Sequence, residues 1–228
     1  MFFSLTSDDC VFSAFPGFPG FPGFGPSGRR PRVYHVEGNV AVGKSECAQL
    51  VAESIRAKGA RVAVVDDEKV VESSTTDDDV TDRRSFDASL RGFDECLRRH
   101  ACASKALAEG FDVVLVVRHP TTILKMFEPP KRVASLFERA GDSIPDFLST
   151  PKRTIYVKNS ARSCRERATR RGRDDEKHLD EDAFEAWHER LDDLMREREV
   201  SGGEVFTFDT FGADSSQVVP AVVGCLGF

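Results

Sequence analysis

The chain has 228 residues, of which 31% are charged and 40% hydrophobic, and this composition is typical of a soluble protein with one substantial core. Its 32 basic and 38 acidic residues give a net charge of −6. This balance argues against a protein that binds nucleic acid regardless of sequence, because such a protein needs a basic surface to displace counterions. A small phosphorylated ligand, held by a local group of arginines, remains compatible with it.

The first part of the chain is of low complexity, with Phe-Pro-Gly repeated three times between Phe15 and Gly23. Proline removes a backbone donor at every third position and glycine adds backbone entropy, so neither a helix nor a sheet is expected to persist. We therefore predict a disordered tail over residues 1–31 and a single folded domain over residues 32–228.

Cysteine usage and hydropathy give an expectation about the compartment. The six cysteines are scattered and contain no CxxC pair, which predicts free thiols in a reducing compartment. No apolar run approaches the ~20 residues needed to cross a bilayer. The expectation is an intracellular protein without a membrane partner.

Five short apolar runs alternate with helix-like segments after the tail. The runs cover residues 33–37, 61–67, 113–117, 154–158 and 205–208. Helices are predicted over about residues 44–58 and 85–109, and an arginine-rich helix follows the fourth run. Runs rich in β-branched residues at this spacing predict an α/β fold with a five-stranded parallel sheet and helices on both faces. Ligands in such a fold bind beyond the carboxyl ends of the strands.

A glycine loop joins the first run to the first helix. It fits G-x-x-x-x-G-K-[ST] and consists of Gly38, Asn39, Val40, Ala41, Val42, Gly43, Lys44 and Ser45. The glycines allow backbone N–H groups and the helix N-terminus to face a phosphate. Lys44 can then reach the β- and γ-phosphates of ATP, and the Ser45 hydroxyl can ligate Mg²⁺. The pattern predicts a P-loop NTPase.

The second run ends in three acidic residues, Asp66, Asp67 and Glu68. Phosphoryl transfer to a hydroxyl group benefits from a carboxylate that orients the acceptor and takes its proton. The residues alone leave all three as candidates for this general base.

A segment with six arginines lies between residues 162 and 176. Arg167 and Arg171 are four residues apart and share a helix face, where two guanidinium groups can clamp a phosphate. On its own such a run is more typical of a solvated charged helix. Together with the glycine loop it predicts a mobile lid that closes over the nucleotide.

Four stretches resemble the deoxynucleoside kinases, a family that includes the thymidine kinases of some viruses. Val36 to Ser45 resembles the family loop Glu-Gly-Asn-Ile-Gly-x-Gly-Lys-Ser/Thr. Cys164 to Glu176 resembles its lid, Arg-x-x-x-Arg-Gly-Arg-x-Glu-Glu, and Ala186 to Glu189 resembles the helix with Leu-His-Glu that follows. The end of the second run resembles the family's Val-x-Glu-Pro.

The resemblance implies roles for particular residues. The lid residues that would contact the ATP phosphates are Arg167, Arg171 and Arg173. Glu176 would contact the deoxyribose hydroxyl, and Asp67 falls on the glutamate that acts as general base. Ser89, or a neighbour, falls where the family has a glutamine that reads the base. Members of the family are commonly homodimers, so a homodimer is expected.

The chain departs from the family after the third run, where Val117-Arg118-His119 replaces Asp/Glu-Arg-Ser. The acidic residue expected near Mg²⁺ is therefore absent, and Arg118 remains as the residue expected near the acceptor. The predicted general base is also shortened, from glutamate to Asp67, and no proline follows it.

These patterns predict a kinase that transfers the γ-phosphoryl group of ATP to the 5′-hydroxyl of a deoxynucleoside, with Lys44, Asp67 and Arg118 as catalytic residues. Thymidine is the expected acceptor by analogy with viral relatives. One alternative is a nucleoside monophosphate kinase, such as a thymidylate kinase, which needs a further positive group for the acceptor's phosphate. Another is a kinase-like nucleotide-binding protein that has lost catalysis. A nucleic-acid-dependent ATPase fits the acidic composition least.

Overall fold

The computed structural model of the protein describes residues 31–66, 95, 98–126, 151–173, 176, 179–210 and 215–228. Nearly all of the predicted tail lies outside these residues, so the domain boundary at residue 32 stays a prediction.

Five strands form one parallel sheet in the order β2-β3-β1-β4-β5. They are β1 (Arg32–Gly38), β2 (Val62–Val65), β3 (Val113–Val117), β4 (Arg153–Lys158) and β5 (Glu204–Asp209). The predicted α/β fold with a five-stranded parallel sheet is confirmed. β1 lies at the centre, between β3 and β4, so the loop that follows it leaves the sheet where the strand order reverses, a common position for a ligand site.

Helices cover the two faces of the sheet. They are α1 (Lys44–Ala57), α2 (described over residues 98–108), α3 (Pro120–Met126), α4 (Ala161–Arg171), α5 (Glu181–Val200) and α6 (Ser215–Cys225). Among the helical residues that are described, no helix is long and apolar enough to cross a membrane.

The alternation of side chains along the strands assigns each helix to a face. Tyr34 and Val36 of β1 pack in one cluster with residues of α1, α4 and α6, whereas Val114 and Val116 of β3 pack on α2. Tyr156 of β4 packs with residues of α3 and α5. Both faces are thus apolar, which is why these strands are nearly continuous runs of β-branched residues.

A buried ion pair links β1 to the far end of α5. Glu37 is fully buried, and its Oε1 accepts hydrogen bonds from both terminal nitrogens of Arg198, each at 3.3 Å. The same oxygen accepts the backbone N–H of His119 at 2.9 Å and the Thr122 hydroxyl at 2.5 Å. One carboxylate oxygen therefore joins β1, the β3–α3 turn, α3 and α5.

The cysteines only partly match expectation. Cys47, Cys164 and Cys225 are free thiols. Cys102 is disulfide-bonded to a partner outside the described residues, so the prediction of free thiols throughout is wrong at this residue.

We expect Arg198→Ala to lower the free energy of unfolding by about 3–5 kcal/mol, because it leaves the Glu37 carboxylate buried without its counter-ion. The double variant Glu37→Met/Arg198→Met should recover much of this loss, since it removes both charges. Urea denaturation measures both. Arg196→Ala is the control on the same helix: its side chain is 71% exposed, and a change within about 0.5 kcal/mol is expected. Equal effects for the two alanine variants would contradict the anchoring role of the pair.

Candidate functional site

The loop between β1 and α1 requires glycine at both ends. Gly38 has φ 153°, and a Cβ there would lie 2.4 Å from the Val157 carbonyl oxygen and 2.8 Å from Val42 Cγ1. Gly43 caps α1 with φ 99°, and a Cβ there would lie 3.3 Å from a terminal nitrogen of Arg167. At Gly38 the backbone thus runs closer to its neighbours than a side chain permits, and at Gly43 the positive φ favours glycine.

Asn39 fastens the loop to α5. Its Nδ2 donates a hydrogen bond to the Phe184 carbonyl at 2.9 Å and lies 2.8 Å from His188 Nδ1, and its Oδ1 accepts the Val40 N–H at 2.7 Å. His188 belongs to the segment that resembles the Leu-His-Glu helix of the family. The sequence did not predict this contact, which joins the loop to α5.

Lys44 lies buried beneath the loop, where its Nζ donates to the Asn39 carbonyl at 2.7 Å. Burial lowers the pKa of Lys44 well below its ordinary value, and the positive charges of Arg118 and Arg171 lower it further. The Glu37 carboxylate acts in the opposite direction. Lys44 therefore lies within electrostatic reach of Arg118 and Arg171, and a polyanion bound beside the loop would relieve their mutual repulsion.

Arg118 stands at the carboxyl end of β3 in a left-handed conformation, with φ 66°. Its N–H donates to the Val36 carbonyl at 3.0 Å, and its guanidinium lies 3.9 Å from Met126 Sδ. A non-glycine residue is rarely held in this region without surrounding contacts that impose it. The turn is therefore built to place this side chain.

Arg99 on α2 is a further cation in this region that the sequence did not predict. It is buried and donates to the Val117 carbonyl, and burial lowers its pKa to about 10. Asp66, at the end of β2, raises that pKa, whereas Arg118 lowers it. The acidic end of β2 and the Arg118 turn thus lie within electrostatic reach of the same guanidinium.

The predicted lid begins with α4. Ser160 caps the start of this helix by accepting the Ser163 N–H at 3.1 Å, and Gly172 caps its end. Arg167 donates to the Val42 carbonyl at 3.1 Å, so the lid touches the loop directly. Arg171, on the same face, forms an ion pair with Glu176, whose Oε2 accepts from Nε at 3.2 Å. Glu176, expected at the sugar, is thus paired with the lid in this structure, and Arg173 is exposed.

Two predicted site residues, Asp67 and Ser89, lie outside the described residues. Of the acidic trio that ends β2, only Asp66 is described. The assignment of the general base and of the base-reading residue therefore stays a prediction.

Two positions bear on a magnesium site, that of Ser45 and that of Val117. Ser45 is exposed at the second position of α1, so its hydroxyl fits one position on Mg²⁺, with phosphate oxygens and water supplying the others. Val117 occupies the position of the family's acidic residue and is buried at 3% exposure, so it offers no ligand.

Comparison with known proteins supports the fold. No protein-family model and no curated protein matches the chain. The solved structure of deoxyadenosine kinase from M. mycoides with bound dATP has 14% identity and a TM-score of 0.58, over 86% of this chain and 100% of that one. The same kinase with bound dCTP, and with the products dCMP and a flexible dCDP, gives TM-scores of 0.57 and 0.56, each at 14% identity over 86% of this chain and 98% of the other.

The chain therefore has the P-loop fold of the deoxynucleoside kinases. These neighbours give no support to the narrower expectation of a viral thymidine kinase.

Gly38→Ala should lower the free energy of unfolding by about 1–3 kcal/mol, because the added methyl group meets the rigid Val157 backbone. Gly224→Ala is the matched control, since a Cβ there meets nothing within 4 Å and alanine favours a helix. Denaturant unfolding of both variants measures the difference. Equal stabilities would show that the loop relaxes more freely than its geometry indicates.

Proposed function

We propose that the protein transfers the γ-phosphoryl group of ATP to the 5′-hydroxyl of a deoxynucleoside. The observation that carries this proposal is the loop between β1 and α1, beneath which Lys44 lies buried and whose Val42 carbonyl Arg167 contacts. Cations placed beside backbone N–H groups at a helix N-terminus suit a polyphosphate. The fold neighbours, whose structures hold dATP and dCTP, support a nucleotide as the ligand.

On the donor side, the loop amides and the N-terminus of α1 hold the phosphates, and the Lys44 ammonium exchanges the Asn39 carbonyl for phosphate oxygens. Arg167 already contacts the loop, and Arg171 can turn from Glu176 toward the transferring group. Arg173 completes the lid as the resemblance implies. Phosphoryl transfer depends mainly on positioning and charge compensation, which such an arrangement supplies.

On the acceptor side, the 5′-oxygen forms a bond to the γ-phosphorus while the bond to the ADP oxygen breaks. Asp67 takes the proton of the hydroxyl group, and Arg118 compensates charge between donor and acceptor. Glu176, released from Arg171, can accept a hydrogen bond from the sugar hydroxyl, and Ser89 or a neighbour reads the base. Mg²⁺, held by Ser45, would neutralise phosphate charge.

The acceptor base is the open part of the proposal. Thymidine is expected from the resemblance to viral enzymes, whereas the fold neighbours are deoxyadenosine kinases. A second candidate function, nucleotide binding without catalysis, is favoured by the buried Val117 in place of an acidic residue.

The direct test is a panel of the four deoxynucleosides and thymidine monophosphate with γ-labelled ATP. We expect at least one deoxynucleoside to be phosphorylated, and Lys44→Met to lower kcat/KM by about 10²-fold or more, because it removes a charge that stabilises the transferring group. Lys58→Met is the matched control: this exposed lysine follows the last turn of α1, and activity should be unchanged.

The other outcomes of the panel separate the alternatives. Phosphorylation of thymidine monophosphate but of no deoxynucleoside would identify a monophosphate kinase. Binding of ATP with no product in any reaction would identify the non-catalytic protein.

Asp67→Asn should lower kcat by about 10²–10⁴-fold and leave the Kd for ATP nearly unchanged, since the base acts on the acceptor. Asp66→Asn and Glu68→Gln, measured in the same assay, are the matched comparisons. Full turnover by Asp67→Asn with a loss in either of the others would move the general base to that residue.

A further inference from the structure

Three buried histidines from distant parts of the sequence meet on the α2 side of the sheet. His35 lies on β1, His100 on α2 and His119 in the turn between β3 and α3. Their exposures are 3%, 2% and 0%. One ligand atom from each lies within 4.8 Å of the other two. We call these residues the histidine cluster.

One distance within the histidine cluster matches that between two ligands on one ion. His35 Nε2 and His100 Nε2 are 3.2 Å apart. Two nitrogens bound tetrahedrally to Zn²⁺ at its usual bond length are about 3.3–3.4 Å apart. The His119 ring stands nearly perpendicular to the rings of His35 and His100, with interplanar angles of 81° and 88° and centroids 4.7 and 5.2 Å away. The rings of His35 and His100 are stacked, with an interplanar angle of 23° and centroids 5.3 Å apart, so the edge of His119 faces both.

The contacts of His119 are compatible with two tautomers, one of which can bind a metal through Nε2. His119 Nδ1 lies 2.7 Å from the Thr121 hydroxyl, and a proton donated there leaves the Nε2 lone pair available to a metal. The Thr121 N–H, 3.2 Å from the same nitrogen, favours the opposite tautomer, so metal binding selects between the two.

Negative charge is present beside the histidine cluster. Glu37 accepts the backbone N–H of His119, and its other oxygen, Oε2, is buried without a hydrogen-bond partner within the described part of the chain. Arg198 pairs with the same carboxylate through Oε1, so Glu37 offsets only a small part of the charge of a buried dication.

We propose that His35, His100 and His119 bind one Zn²⁺ ion, with water in the fourth position. Three imidazole nitrogens select a first-row transition metal and not Mg²⁺, which prefers oxygen. The site is separate from the Ser45 hydroxyl, and it fixes the turn that carries Arg118. It binds the ion as the chain folds, because the ligands come from three distant segments and are closed to solvent.

The test uses the full chain, stripped with a chelator and then dialysed against Zn²⁺ or Co²⁺. Elemental analysis should find one ion per chain, and the Co²⁺ form should show the visible absorption of a four-coordinate nitrogen site. The Tm should rise by about 5–10 °C at free Zn²⁺ 100-fold above the Kd. A wild-type chain that retains no ion, or a Co²⁺ spectrum with a thiolate charge-transfer band, overturns the proposal.

Variants locate the ion. His100→Asn and His119→Ser should each lose the bound ion and the rise in Tm, with folding checked by circular dichroism. His188→Gln, which removes a histidine outside the cluster, should keep one ion per chain. If a folded cluster variant keeps the ion, the site lies elsewhere and the proposal fails. All of these readouts are independent of phosphoryl transfer.

Discussion

The position of the glycine loop depends on the burial of a single carboxylate. Glu37 is the residue before Gly38, and one of its oxygens accepts hydrogen bonds from the β3–α3 turn, α3 and α5. α5 in turn holds Asn39 through the Phe184 carbonyl. The glycine loop and the Arg118 turn are therefore both held in place through the Glu37 carboxylate. A buried ion pair adds little net stability, but removing one partner is costly, so the arrangement fixes geometry more than it stabilises the fold.

The cations above this anchor are placed at an electrostatic cost. Lys44 is buried close to Arg118 and Arg171, and its pKa is lowered for that reason as well as by burial. In the free protein the folded state binds fewer protons at Lys44 than the unfolded chain does. The contribution of Lys44 to stability therefore rises with pH, from its lowered pKa up to the ordinary lysine value. A polyphosphate in the proposed site would reverse this preference, because it would favour the charged form of Lys44.

The elements that could be predicted are those whose signal is local in sequence. The five apolar runs became five strands, and the glycine loop lies between β1 and α1, because each pattern fits within about ten residues. The partner of Glu37 could not be predicted, since Arg198 is 161 residues away and belongs to a charged helix. The pairing of Arg171 with Glu176 spans only five residues, yet the resemblance assigned these two side chains to different ligands.

The side chains of the tripeptide Val117-Arg118-His119 lie on opposite faces of the sheet. Val117 packs in the apolar cluster that includes α1, where the family has an acidic residue. His119 lies among His35 and His100 on the other face, and its N–H binds Glu37. Arg118, between them, is held in a left-handed conformation by contacts from the interior. The contacts that support this turn therefore come from the α2 side of the sheet, where the histidines meet. They do not require a carboxylate on the side that faces the glycine loop.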